Sequence, residues 1–266
     1  YDPETGQWSS TGNLIEPRSG HVAVRLKNGK VLVAGGVRKD VVLTSAEIYD
    51  PPSGVWSSAA NLSVPRAHHT ANLLSDGTVL VIGGQIILEI LINRVRYLTY
   101  DSGEIYDPAT GTWNSTGRMP SPRAHHASTV LADGTVLVIG GDDDHLNQSS
   151  AALFDSATRT WRATGNSISA RWQPRATLLQ DGNVLVAGGD GGLNSAELYD
   201  PVAGRWRATG FMTSRRRDHT LTLLPDGTVL AAGGHLGDED YYTGNVTVLD
   251  SAELYDPTTG LWSAGG

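Results

Sequence analysis

One phrase recurs five times along the 266 residues, and it constrains the fold more than any single motif does. Each copy has an arginine-containing loop, a strand ending in Asp-Gly or Asn-Gly, a second strand ending in Gly-Gly, then Tyr-Asp-Pro or a near variant, then tryptophan. The Gly-Gly pairs stand at 35/36, 83/84, 140/141, 188/189 and 233/234. Tryptophans follow at Trp56, Trp113, Trp161, Trp206 and Trp262, with another at Trp8, and the successive spacings are 48, 57, 48, 45 and 56 residues. A period near 50 with four short strands per unit reads as a propeller blade, because one small sheet cannot cover both of its faces without neighbours.

The second unit shows the local logic. His69 to Leu74 and Thr78 to Ile82 read as a hairpin closed by Asp76-Gly77, for which a type I′ turn is expected because glycine tolerates positive φ. Gly83-Gly84 ends the second strand and permits close backbone approach, Glu104-Ile105-Tyr106 is a third strand, and the turn from Asp107-Pro108 leads to an outer strand at Trp113. The four strands are named a to d from the inside outwards. Six tryptophans of the series would bury roughly 150–250 Å² each, which assigns them to the core.

These motifs, Arg-x-x-His, Asp-Gly-x-Val-Leu-x-x-Gly-Gly and Tyr-Asp-Pro-x-x-Gly-x-Trp, resemble Kelch repeats of the bacterial and galactose-oxidase-like type over essentially the whole chain. The resemblance implies an all-β Kelch-type propeller of four-stranded antiparallel blades forming one domain over 1–266. The repeats run approximately 9–57, 58–114, 115–162, 163–207 and 208–266, and residues 1–8 are an extra d strand. Those eight residues suit a closing strand in a five-bladed ring, a six-bladed parent or a dimer completed in trans. The start at Tyr1 fits a processed chain or an excerpt.

Composition removes several functions. Acidic residues outnumber basic ones, 28 to 20, so the formal charge is −8, which argues against a grip on nucleic acid. There is no cysteine, which excludes disulfides, thiolate metal sites and the tyrosine–cysteine copper centre of galactose oxidase. Apolar runs stay far below the ~20 residues of a membrane-spanning helix. With 39% hydrophobic residues the chain carries enough apolar surface for a core. No motif calls for a cofactor, and the compartment is left open, with an extracellular or cell-surface setting preferred.

Strand direction places the d–a and b–c connections on one face of the ring, and that face is where a ligand is expected. Arginines recur eleven residues before each turn glycine: Arg18, Arg66, Arg123, Arg171 and Arg216. Glu47, Glu104, Glu197 and Glu253 suit a fork with them, whereas the third unit has Ala152 instead, which leaves Arg123 as a candidate anion or hydroxyl donor. His21, His69, His126 and His219 share one repeat position and read as packing residues. The position before them varies as Gly20, His68, His125, Gln173 and Asp218, and variation within a repeat is where a specific function is written.

The candidate ligand contacts are Arg123, His125, Asp142, Asp144, His145, Trp172, Gln173, Arg216 and Asp218. Aromatic rings beside carboxylates and amides favour a carbohydrate, and Tyr241 and Tyr242 lie in another such loop. A metal held by histidines and aspartate is an open alternative. So is acid/base chemistry by Asp142, His145, Asp218 and His125 on a sugar or small molecule, although a binding module is the preferred reading. The apolar insertion at 85–98 reads as a hairpin above the ring, with Ile86, Ile90, Ile92 and Tyr97 as a protein-partner or self-association surface; the ring-closing edge is a second route to self-association.

Overall fold

The computed structural model describes residues 1–91, 94–144, 146–189, 193–236 and 246–265. Among them are five four-stranded antiparallel sheets, each in the order a-b-c-d. The first comprises Val22–Arg25, Val31–Ala34, Ala46–Asp50 and Val55–Ala59. In the second, Thr70–Leu73, Val79–Ile82, Ser102–Asp107 and Thr112–Arg118 take the same places. The inner a strands pack one on the next from the first sheet to the fifth, so the sheets stand around an axis as blades. An apolar cluster fills each gap between consecutive sheets.

Alternation along the b strands explains these clusters. Leu80 and Ile82 face the third sheet while Val79 and Val81 face the first, and all four are fully buried. Leu230 and Ala232, the counterparts on the fifth sheet, are only partly buried. Residues 1–8 form their own turn, with an Asp2–Gln7 bridge and a Tyr1–Trp8 ring pair at 5.1 Å, and they join none of the five sheets. The fifth sheet takes its d strand from Leu261–Ala264. Trp8 is 81% exposed, unlike the half-buried Trp113, Trp161, Trp206 and Trp262 that pack against the clusters.

The a–b turn differs from the type I′ expectation. Gly77 N–H donates to Leu74 O and Leu74 N–H to Thr78 O, and only Gly77 has positive φ, at 91°. This is a three-residue loop, a type I turn closed by a left-handed glycine bulge. Asp76 stabilises it by accepting from the Thr78 N–H and hydroxyl.

Gly-Gly ends the b strands because the next blade presses on it. A Cβ on Gly83 would lie 2.4 Å from Arg123 O and 3.0 Å from the His126 ring, and Gly83 also has φ of +61°. The neighbouring Gly84 N–H donates to that same Arg123 carbonyl at 2.9 Å, tying blade to blade.

Candidate functional site at the channel mouth

The repeated arginines hold the loops that carry the site. Arg171 Nη1 donates to Gly188 O and Ser195 O, and its Nη2 to Glu197 Oε1 at 2.8 Å. Glu197 also accepts the N–H groups of Ile168 and Ser169, so one carboxylate fixes the d–a loop to strand c. Arg18–Glu47, Arg66–Glu104 and Arg216–Glu253 form the same pairing. Arg216 is therefore enclosed, 1% exposed, rather than presented to a ligand. Arg123 is also buried, at 0%, and Gly140 O, Ser150 O and the Ser121 and Ser150 hydroxyls already engage its terminal nitrogens. Burial without a carboxylate pulls its pKa down to about 10.

Just beyond each arginine the chain enters the left-handed region. Gly20, His68, His125, Gln173 and Asp218 have φ of 60°, 55°, 53°, 53° and 54°. For the four residues with a Cβ this conformation costs on the order of 1–2 kcal/mol each, and main-chain bonds running from blade to blade hold it. His68 N–H donates to Gly20 O, His125 N–H to His68 O and Gln173 N–H to His125 O, at 2.9 to 3.0 Å. Side chains at this position are thereby carried to the mouth of the axial channel.

A second anchor comes from short bridges between the d–a and b–c loops, pairing Ser19 with Val37, Ala67 with Gln85, Ala124 with Asp142 and Arg217 with His235. They confirm that both sets of loops share one face. In the first three blades the b–c connection continues as a hairpin: Val37–Arg38 with Val41–Val42, Gln85–Leu91 with Arg94–Thr99, and Asp142–Asp143 with Leu146–Asn147.

Between these hairpins and the loops lies a cavity of about 710 Å³. His68 and His125 stack at 4.3 Å, and His125 meets Trp172 edge-on at 4.9 Å. The Arg217 guanidinium lies over the Trp172 ring, 5.0 Å from its centroid. His125 Nδ1 donates to Asp142 Oδ1 at 2.9 Å, since a carboxylate can only accept, and in the neutral ring Nε2 is then the acceptor. Burial, then the neighbouring His125, pulls the His68 pKa down to about 4, so His68 is uncharged at neutral pH. Gln85, 6% exposed, lines the cavity with its Oε1 lacking any partner among the described residues.

Of the residues expected from sequence, His125, Asp142 and Trp172 line this cavity. Ile86 and Tyr97, expected on an outward partner surface, line it too. Ile90 belongs to the hairpin strand, and Ile92, His145, Tyr241 and Tyr242 lie outside the described residues. Asp218 engages Arg175 at 3.5 Å and His235 at 3.3 Å rather than His125, so the direct acid/base contact among the described residues of that set is the His125–Asp142 pair. Asp144 turns the third hairpin at positive φ, and Gln173, Asp144 and Asp218 are not among the residues lining the cavity. No group of three His, Asp or Glu side chains placed to hold a metal occurs among the described residues.

Sequence reasoning missed Gln85, Ser19, Asn147, Val37 and Val42, which also line the cavity. A signal existed. The residue after Gly-Gly reads Val37, Gln85, Asp142, Asp190 and His235, and the residue after each repeated arginine reads Ser19, Ala67, Ala124, Trp172 and Arg217. These columns vary as much as the one containing His125.

Comparison with known proteins agrees with this architecture. Residues 1–189 match the family model described as the KLHDC2/KLHL20/DRC7 Kelch-repeats domain. No curated protein sequence matches the chain. Among solved structures, one titled "Structure of YjhT" superposes with a TM-score of 0.77 at 15% identity, covering 98% of this chain and 88% of that one, a likeness of fold.

Proposed function

Because the chain belongs to the Kelch-repeat family of propeller interaction modules, we propose that it is a recognition module whose channel mouth binds a hydroxyl-rich ligand of carbohydrate type. The observation that carries this reading is Gln85. A buried amide oxygen without a partner costs about 1–3 kcal/mol, and a rotation of the Gln85 amide toward the cavity it lines lets a ligand hydroxyl satisfy it. Around it the His125 ring nitrogen, Asp142 and Asn147 offer both accepting and donating groups, and Trp172 supplies an apolar ring. Hydroxyls, which donate and accept at one atom, match such a mixed set better than a simple anion or cation does.

Isothermal titration against a panel of mono- and disaccharides tests this. At least one sugar binds, and Gln85→Leu and His125→Ala each weaken it about tenfold, with circular dichroism at the assay temperature showing both variants folded. A panel without a binder, or a binder indifferent to both substitutions, overturns the reading.

A protein partner is the second reading, favoured by exposed apolar residues of the second hairpin, where Leu88 and Leu98 are 52% and 43% exposed. Leu88→Asp with Leu98→Asp removes that contact and leaves sugar binding intact.

A further inference from the structure

The lining of the cavity is divided by chemistry. Gln85, His125, Asp142 and Asn147 form its polar part, while Val37, Val42, Ile86 and Ile87 form an aliphatic wall. The wall comes from two neighbouring hairpins, since Val41–Val42 packs against Gln85–Leu91. None of the four aliphatic side chains belongs to an inter-blade core cluster.

Ile86 and Ile87 are consecutive, and in a regular strand consecutive side chains face opposite ways. Arg96 pairs with Glu89 but Tyr97 pairs with Ile87, so Leu88 is the extra residue of a β-bulge that bends the hairpin just beyond the two isoleucines. Ile86 and Ile87 both line the cavity, with Tyr97 from the opposite strand, and Leu88 is 52% exposed. This unit has the longest Trp-to-Trp spacing, 57 residues, so its insertion supplies a wall that the blade core does not require.

On the proposed reading of the polar part as a hydroxyl site, we infer that the ligand is amphipathic, with a hydroxyl-rich head at Gln85 and His125 and an alkyl tail lying along Val37, Val42, Ile86 and Ile87. The polar head alone leaves this wall in contact with water. The volume is adequate for both parts, because about 710 Å³ falls within the roughly 300–1,000 Å³ typical of small-ligand pockets. Continuity of the wall with the unpartnered Gln85 oxygen, at the first position of the same hairpin, joins tail to head.

The test uses two probe series below their micelle-forming concentrations, n-alkyl β-glucosides from methyl to octyl and n-alkanols of matching length, followed by tryptophan fluorescence. Burial of each methylene is expected to tighten binding about fourfold until the wall is covered. Ile86→Ser with Ile87→Ser flattens that dependence. Val42→Trp fills the wall from the other hairpin and rejects long chains while leaving the methyl glucoside unaffected, which keeps the test decisive if the serine variant fails to fold. Glucoside affinity that ignores chain length but responds to Gln85→Leu overturns the tail and leaves the carbohydrate reading standing. Equal chain-length dependence in glucosides and alkanols, lost in the wall variants and indifferent to Gln85→Leu, supports the tail and overturns the carbohydrate head. No binding in either series overturns both.

Discussion

Glu197→Ala removes a carboxylate that accepts four hydrogen bonds, from Ile168 N–H, Ser169 N–H, and Nε and Nη2 of Arg171. Arg171 is 0% exposed and Glu197 2%, so the substitution leaves a guanidinium in the interior with its counter-charge gone. Its remaining contacts are neutral: Gly188 O, Ser195 O and the Ser195 hydroxyl. Breaking a buried pair from one side costs about 3–5 kcal/mol. Of the two loop N–H groups released, that of Ile168 sits beside an exposed side chain, 65% accessible, and regains water, so little is added for it. For a chain of this size about 4 kcal/mol corresponds to a fall in melting temperature of roughly 8–15 °C. Urea unfolding followed by tryptophan fluorescence, together with calorimetry, measures the loss, and Glu197→Gln, which keeps an acceptor in place, gives a smaller one. A loss below about 1 kcal/mol for the alanine variant refutes the argument that this carboxylate compensates a buried charge.

Three further outcomes follow from the same structure. His69, His126 and His219 are buried and held with lowered pKa values, chiefly by burial, His219 at about 3. The unfolded chain, with histidine near 6.5, therefore binds more protons at acid pH; stability is full above about pH 6.5 and falls below it by about 1.4 kcal/mol per pH unit for each histidine, down to its folded-state pKa. Denaturant midpoints between pH 7.5 and 5 measure the slope, and a flat profile refutes it. Gly83→Ala introduces a Cβ at 2.4 Å from the Arg123 carbonyl in a left-handed conformation, so it destabilises by more than the roughly 1–2 kcal/mol of the backbone term alone, whereas Gly111→Ala, with nothing within 4 Å, incurs only that term in urea unfolding. Ser121→Ala removes one acceptor from the carboxylate-free Arg123 and costs about 1–3 kcal/mol by the same assay; an unchanged midpoint refutes this.

Much of the architecture was legible because each feature answers to a local rule repeated in four or five units. Asp-Gly turns, Gly-Gly strand ends and the Arg–Glu register follow from φ preferences, alternation and fixed spacing, which a reader of one unit can test on the others. The type I′ expectation failed because Asp-Gly is compatible with two hairpin loops, and the choice depends on the hydrogen-bond register of the flanking strands, with Leu74 paired across to Thr78. Trp8 shares the motif of the other tryptophans, yet it stays exposed because burial depends on an adjacent sheet rather than on the local phrase.

The site was half legible. His125, Asp142 and Trp172 stood out as departures from the repeat, while Arg123 and Arg216 looked available only because sequence does not show how many carbonyls surround a guanidinium. Gln85, Ile86 and Tyr97 acquired their role from the hairpin inserted in the second unit, whose base lines the cavity. The sequence by itself determined the four-stranded unit, its repetition and the face on which variation gathers, because those depend on interactions within about fifty residues. Only the tertiary structure decided which variable side chains meet, because His68, His125 and Trp172 belong to three different blades and touch solely where the a strands converge on the axis.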